Sequence, residues 1–320
     1  MPVCRICRND AGNVTYTALE MMLGLREPFD YFECKACGCL QIAGFPDNMA
    51  RYYPEGYYSY KSIPRLSDNF LIRWIKHHRI RHQSGDRNLF GRFLSLTTKT
   101  PVFYEYFKNA GVTPRSRILD VGCGFGKLLL WMKREGFNNI LGIDPFIGET
   151  INYPNGLTIL KKELKELNEV FDFIMLHHAF EHMPDPWGTL QQLCRITRPG
   201  GTILLRIPLV SSYAWQTFGI NWIALDAPRH FYLHTPKSMT YLAEKSGFEI
   251  RKIVYDSFEI QFWGSIQYQK NISLTDPESY LNNKKNPLFS KRELHEFKRR
   301  SIQLNRDKTG DAAGFYLVKT

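Results

Sequence analysis

Three observations predict an α/β fold built on a doubly wound, mostly parallel sheet. An apolar run at 118–121 carries an acid and leads into a glycine-rich turn, and a second run at 139–144 also ends in an acid. From about residue 100 onward, short apolar runs alternate with helix-length amphipathic segments. The first run, Ile118-Leu119-Asp120-Val121, passes through Gly122-Cys123-Gly124-Phe125-Gly126 into Lys127-Leu128-Leu129-Leu130-Trp131. That order reads as strand, tight turn and helix. Glycine belongs there because the backbone turns sharply and a ligand lies against it, where a Cβ would clash. The helix start then presents unpaired N–H groups and partial positive charge to the crevice.

The remaining elements follow in order. A helix is expected over 102–110, ended by Gly111, and the opening strand over 117–121, with its helix over 127–135 stopped by Gly136. Strands are expected at 139–144, 157–160 and 171–176, the last continuously apolar as buried parallel strands are. A helix over 184–197 leads through Arg198-Pro199-Gly200-Gly201 into a strand at 202–207. After a long aromatic insert come a helix over 236–246, a strand over 248–255 and a last, antiparallel strand over 313–318. Residues 271–310 read as polar, charged and partly loop-like. The 320 residues divide into a zinc-binding module (1–60), a basic helical linker or cap (61–112) and the main domain (113–320).

The module is read from Cys4-Arg5-Ile6-Cys7 and Cys34-Lys35-Ala36-Cys37, two C-x2-C knuckles separated by 26 residues. Two such knuckles bring four thiolates to one tetrahedral Zn²⁺. With all four positions filled, that zinc folds the module rather than doing chemistry. Neither pair follows a strand in a βαβ setting, which argues against a redox dithiol. Cys39 is spare, or a substitute for Cys37.

No run approaches the ~20 apolar residues of a membrane span, and no apolar signal core follows Met1-Pro2-Val3-Cys4-Arg5. A soluble, cytoplasmic protein with reduced or metal-bound cysteines is therefore expected. The formal charge is +11, and residues 61–115 carry 11 Lys/Arg against 3 acids. Such a segment suits nucleic acid, an anionic membrane surface, a phosphorylated substrate or simply a solvated helix face. Within it, Phe70, Leu71, Trp74, Ile75, Phe90 and Phe93 fall at helical spacing. The tyrosine-rich stretch 51–60 suits either stacking on a sugar or base, or covering the seam between module and main domain.

The acid closing the second run, Asp144, lies 22 residues past Gly122, where the two hydroxyls of a ribose would sit. The dinucleotide fingerprint needs a third glycine at a spacing absent here, and Asp120 would repel a pyrophosphate. An acid is welcome instead if the ligand is cationic. On the ordered set I-L-D-V-G-C-G-F-G, L-G-I-D-P, F-D-F-I-M-L-H-H-A-F-E-H-M-P-D-P and R-P-G-G-T-I-L-L, the chain resembles class I S-adenosylmethionine-dependent methyltransferases with a Rossmann-like fold. The resemblance implies that Asp120, Gly122, Cys123 and Gly124 cradle the methionine part. It places Asp144 and Pro145 at the ribose, Glu163 near the adenine amine, and His177 and His178 on the cofactor's far side.

An N-terminal C-x2-C pair of knuckles before such a domain resembles zinc-bearing methyltransferases that modify nucleotide-linked sugars in surface-glycan, polysaccharide and antibiotic pathways. Residues 226–236 resemble the stretch before their last helix, where a histidine serves as base. The Tyr-His-Glu-His type of sequence is replaced here by Ala227-Pro228-Arg229-His230, which favours oxygen slightly over carbon as the acceptor. His230 is the first candidate base and His182 the second, with Asp226 orienting His230 or holding a sugar hydroxyl. Trp215, Phe218 and Trp222 suit a stacking wall or plain packing.

Three functions compete: a small-molecule methyltransferase acting on a nucleotide- or lipid-linked sugar, a nucleic-acid methyltransferase, and a non-catalytic scaffold. His177-His178-Ala179-Phe180 is not the Asn-Pro-Pro-aromatic pattern of base amino-group methylation, and the intact Asp120, Gly122, Gly124 and Asp144 argue against a scaffold.

Overall fold

The alternating apolar runs become one eight-stranded sheet in a computed structural model that describes residues 2–54, 103–284 and 288–320. The N-terminal residues first build a small antiparallel sheet from β1 (Val14–Leu19), β2 (Pro28–Glu33) and β3 (Leu40–Ile42). Then follow α1 (Phe103–Ala110), β4 (Ile118–Val121), α2 (Lys127–Arg134), β5 (Ile140–Ile143), β6 (Ile151–Asn152), β7 (Thr158–Leu160) and β8 (Phe171–His177). The chain continues through α3 (Pro186–Ile196), β9 (Thr197–Pro208), α4 (Tyr213–Phe218), β10 (Tyr232–Leu233) and α5 (Pro236–Lys245). It finishes with β11 (Phe248–Tyr255), α6 (Ile260–Gln269), α7 (Lys291–Arg306) and β12 (Ala312–Lys319).

In the large sheet the order is β11-β12-β9-β8-β4-β5-β7-β6. Strands β9, β8, β4, β5 and β7 run parallel, and β12 inserts antiparallel between β9 and β11. A short antiparallel strand, β6, closes the other edge. The central strands are covered on both faces: Ile118, Leu119 and Phe173 through Leu176 are all 0% exposed. Continuous burial is why these strands read as unbroken apolar runs. The fold class expected from the sequence is thus the fold observed.

Caps set the helix boundaries. Asp185 accepts the Gly188 N–H before α3, and Thr235 accepts the Ser238 N–H before α5, each followed by a proline that needs no donor partner. Ser290 and Glu293 form a reciprocal capping box at the start of α7. The segment 271–310, read as partly loop-like, therefore contains a sixteen-residue helix. Helix α1 falls in the segment read as linker, yet its Phe107 packs edge-on against Phe137 and Phe173 of the main core. The basic residues 61–102 and Tyr57, Tyr58 and Tyr60 lie outside the described residues.

The small sheet has a fourth strand that comes from the far side of the sequence. β10, within the aromatic insert, pairs antiparallel with β3, Tyr232 opposite Gln41 and Leu233 opposite Leu40. Around it, Tyr31 donates to the His230 carbonyl (2.9 Å) and Trp187 Nε1 to the Arg5 carbonyl (3.1 Å). Arg229, fully buried, donates to Glu20 of the module (2.9 Å) and to Asp226 of the insert (2.6 Å). Among the described residues no helix is long and apolar enough to cross a membrane.

Candidate active site

The carboxyl ends of β4, β5 and β8 lie side by side, where the topology of an open parallel sheet places its ligand crevice. After β4 the chain turns through Gly122, Gly124 and Gly126, all with φ between 53° and 72°. A Cβ on Gly122 would lie 2.7 Å from the Ala179 Cβ, so this turn is closed to larger residues. Gly142 in β5 is equally constrained, since a Cβ there would meet the Cys123 sulfur at 2.6 Å. The close approach of loop and strand is thus built into both, and Gly142 carried no signal in the sequence.

Asp144 ties the loops together. Its Oδ2 accepts the Gly124 N–H and its Oδ1 the Phe146 N–H, both at 2.9 Å. A carboxylate has about four lone-pair sites, so one acceptor position per oxygen is left for a diol. Burial raises its pKa while those two amides pull it down. Asp120 is 4% exposed, and burial, then the charge of Asp144, push its pKa well up. None of the hydrogen bonds among the described residues reaches the Asp120 carboxylate. Two acids facing one another beside a glycine turn suit a ligand that brings positive charge and a diol, as S-adenosylmethionine does.

Beyond the loop stand His177 and His178 at the end of β8. His177 is buried, with Arg206 Nη1 donating to its Nδ1 (3.3 Å) and its Nε2 left without a partner. Burial, then Arg206 and His178, push its pKa well down, so it is neutral. His178 has a φ of 52° and places Nδ1 3.3 Å from Glu181 Oε1. Pro145 follows Asp144 in the turn that carries Phe146. Glu163 does not join this group: it caps the turn 164–166 and pairs with Lys165 (2.6 Å), its side chain about half exposed. A charged side chain with two local partners in sequence satisfies itself there.

Ala179 links the glycine turn to the next cluster, because the turn 180–182 follows it directly. His182 Nδ1 donates to the Arg229 carbonyl and His230 Nδ1 to the Ala224 carbonyl, both at 2.8 Å. A carbonyl only accepts, so each Nδ1 carries a proton, and in the neutral ring Nε2 keeps the lone pair. The rings are 4.7 Å apart, edge to face. Burial, then the neighbouring His230, brings the His182 pKa down to about 4. Glu181 is 0% exposed; burial raises its pKa, but His178, then His230 and His182, outweigh that and bring it to about 2.

Asp226 does not orient His230. Its oxygens accept three hydrogen bonds from Arg229, at 2.6, 3.0 and 3.1 Å, and Oδ2 stays 3.8 Å from His230 Nε2. Arginine's rigid fork takes a carboxylate bidentately, so the nearby guanidinium wins over the imidazole. Trp222 is no stacking wall either, being fully buried with Nε1 on Asp311 (3.0 Å). Trp215 packs edge-on against Tyr16 of β1. No spacing in the sequence marks Glu181, whose burial beside His178, His182 and His230 only the fold creates.

The four cysteines of the module meet. Cys4 and Cys37 sulfurs are 3.7 Å apart, Cys7 and Cys34 sulfurs 3.5 Å, and all four lie within 4.8 Å of one another. Sulfurs at about 2.3 Å from a tetrahedral zinc are separated by about 3.8 Å. Backbone N–H groups of Ile6 and Cys7 point at the Cys4 sulfur (3.4 Å each), Cys37 N–H at Cys34 (3.5 Å), and Gln41 Nε2 at Cys4 (2.9 Å). The residues fit a closed zinc site. Cys39 stands apart from it, fully buried with its sulfur 3.7 Å from His234 Nδ1.

Residues 92–253 match the methyltransferase domain family. The ubiquinone biosynthesis O-methyltransferase of Shewanella sp. (strain ANA-3) is 30% identical over 129 residues, 36% of this chain and 54% of that one. The tRNA U34 carboxymethyltransferase of Alteromonas mediterranea is 25% identical over 152 residues, 43% of this chain and 46% of the relative. The chain thus spans about half the length of these curated relatives. Among solved structures, a cyclopropane synthase from Mycobacterium tuberculosis aligns with TM-score 0.44 at 16% identity, covering 80% of this chain and 100% of that one.

Proposed function

The chain belongs to the methyltransferase domain family, and on that premise we propose that it transfers the methyl group of S-adenosylmethionine to a hydroxyl of a small-molecule acceptor, a sugar or glycan precursor. The observation that carries this reading is the pair of buried acids, Asp120 and Asp144, around a turn of left-handed glycines. The cofactor supplies, when bound, a methyl on a sulfonium, activated for in-line displacement. Asp120 faces its positive charge, Asp144 uses its spare lone pairs for the ribose hydroxyls, and Gly122 and Gly124 let the backbone approach. Cys123, Pro145, His177 and His178 border the same crevice. His182 and His230, whose Nε2 atoms are the nitrogens free to take a proton, stand where an acceptor hydroxyl loses its own.

The end of β8 is polar. His177 Nε2 and Asp256 Oδ1 are buried without partners on either side of Arg206, whose Nε is held by Asp256 Oδ2 at 2.6 Å. Such atoms suit a hydroxyl-bearing molecule. The four-cysteine module, in this reading, carries a structural zinc. A nucleic-acid acceptor is the second reading, supported by the formal charge of +11 and by the tRNA-modifying relative.

Calorimetric titration with S-adenosylmethionine tests the first step, and no heat at millimolar cofactor would end the methyl-transfer reading. Transfer of labelled methyl to nucleotide-linked sugars, with none to bulk RNA, is the expected second result. Labelled RNA with unlabelled sugars would select the nucleic-acid reading instead.

A further inference from the structure

Glu181 is an anion in an unusual place. Its side chain is 0% exposed, and neither carboxylate oxygen accepts a hydrogen bond. Its nearest polar neighbours among the described residues are imidazoles: His178 Nδ1 at 3.3 Å, outside hydrogen-bond geometry, and His230 Nε2 at 3.9 Å. A buried carboxylate that has only ion-pair neighbours and no well-formed hydrogen bond is costly, and native structures rarely keep one without a reason. One ligand atom each from Glu181, His182 and His230 lies within 4.8 Å of the others.

The two histidines are already arranged as metal-bound histidines are. Each fixes its ring by donating Nδ1–H to a backbone carbonyl, Arg229 and Ala224 respectively, at 2.8 Å. That outer bond sets the tautomer, orients the ring and leaves Nε2 as the donor atom. Asp226 is not part of the set, because Arg229 occupies both its oxygens. Two imidazoles and one carboxylate make a borderline donor set for Zn²⁺, Co²⁺, Fe²⁺ or Mn²⁺, with coordination positions left open to a further ligand.

We propose that Glu181, His182 and His230 bind a divalent cation, separate from the four-cysteine zinc, whose open positions take an oxygen of the methyl acceptor. The turn 180–182 places it directly after Ala179, the residue packed on Gly122, so the cation borders the cofactor crevice. In this arrangement His182 and His230 act on the acceptor as ligands of the cation. The role in methyl transfer rests on the function proposed above, whereas the binding of the cation does not.

Co²⁺ titration of the full-length, zinc-containing protein reads the site without turnover. The expected result is one equivalent bound with visible d–d absorption and no thiolate charge-transfer band, which would mark the cysteine site. Glu181→Gln is isosteric and His182→Ala removes a second ligand; both should weaken that binding by about tenfold or more, with far-UV circular dichroism unchanged. Absence of the band at millimolar Co²⁺, or an identical band in both folded variants, overturns the proposal. Calorimetry with S-adenosylmethionine on the same samples separates the two readings: cobalt without cofactor binding keeps the cation site and removes its catalytic role.

Discussion

Replacing Arg229 by methionine keeps the aliphatic stem of that side chain and removes a guanidinium that is 0% exposed. Two acids lose their partner. Glu20, also 0% exposed, keeps the N–H groups of Leu23 (2.9 Å) and Leu25 (3.0 Å), so its loss is partial. Asp226 loses all three bonds from Arg229 and keeps only His230 Nε2 at 3.8 Å. Breaking a buried ion pair by removing one partner costs about 3–5 kcal/mol; with Glu20 partly satisfied, we expect about 4 kcal/mol near neutral pH.

The charge of Arg229, opposing burial, holds the Asp226 pKa below its ordinary value. Without it Asp226 protonates more readily in the folded state, so the difference between variant and parent should narrow as the pH falls toward the carboxylate range. Adding Glu20→Gln to Arg229→Met should recover part of the loss. Urea unfolding, followed by tryptophan fluorescence with the slope m held constant, measures each quantity. A difference under about 1 kcal/mol near neutral pH, or one that stays constant on acidification, would refute the reasoning.

Four further outcomes are expected. Asp144→Ala should weaken S-adenosylmethionine binding by about 2–5 kcal/mol in calorimetry, since it removes a charged acceptor and frees the amides of Gly124 and Phe146. Gly122→Ala, at φ 72° with Ala179 2.7 Å from the new methyl, should cost about 1–3 kcal/mol in stability and more than tenfold in cofactor affinity. Burial depresses the His234 pKa to about 3, so the unfolded chain binds its proton first as the pH falls. Stability should drop by about 1.4 kcal/mol per pH unit from about pH 6.5 downward on this account, and His234→Phe should flatten that slope in acid unfolding. Chelation after loading the cysteine knuckles with Zn²⁺ should change the fluorescence of Trp215, 5.2 Å from the Tyr16 ring of the small sheet; unchanged emission after complete metal loss would contradict the coupling.

The large sheet was legible because its central strands bury both faces, which forces continuous apolar runs such as Phe171 to Leu176. The glycine turn and the acid after β5 were legible because backbone sterics and charge restrict the residues allowed there. The fourth strand of the small sheet was not, since the second edge of β3 pairs with Tyr232 and Leu233, and no local pattern encodes so distant a pairing. α6 hid because it buries Gln261, Ser265 and Gln267 along with its aromatics. By contrast Ser290 and Glu293 held a readable capping signal, obscured by the charged face of α7. The orienting role expected of Asp226 toward His230 met a competition that only distances settle: a guanidinium three residues away binds it before the imidazole can.

The late arrival of β10 has a consequence for synthesis. β1, β2 and β3 leave the ribosome ahead of the strand that completes the outer edge of β3, which lies about 190 residues further on. At about 5–20 residues per second, the edge of β3 stays open for roughly 10–40 s. An unpaired edge is a template for the wrong chain. Charged and β-disfavoured neighbours such as Asp30 and Glu33 on the adjoining strand suit such a wait.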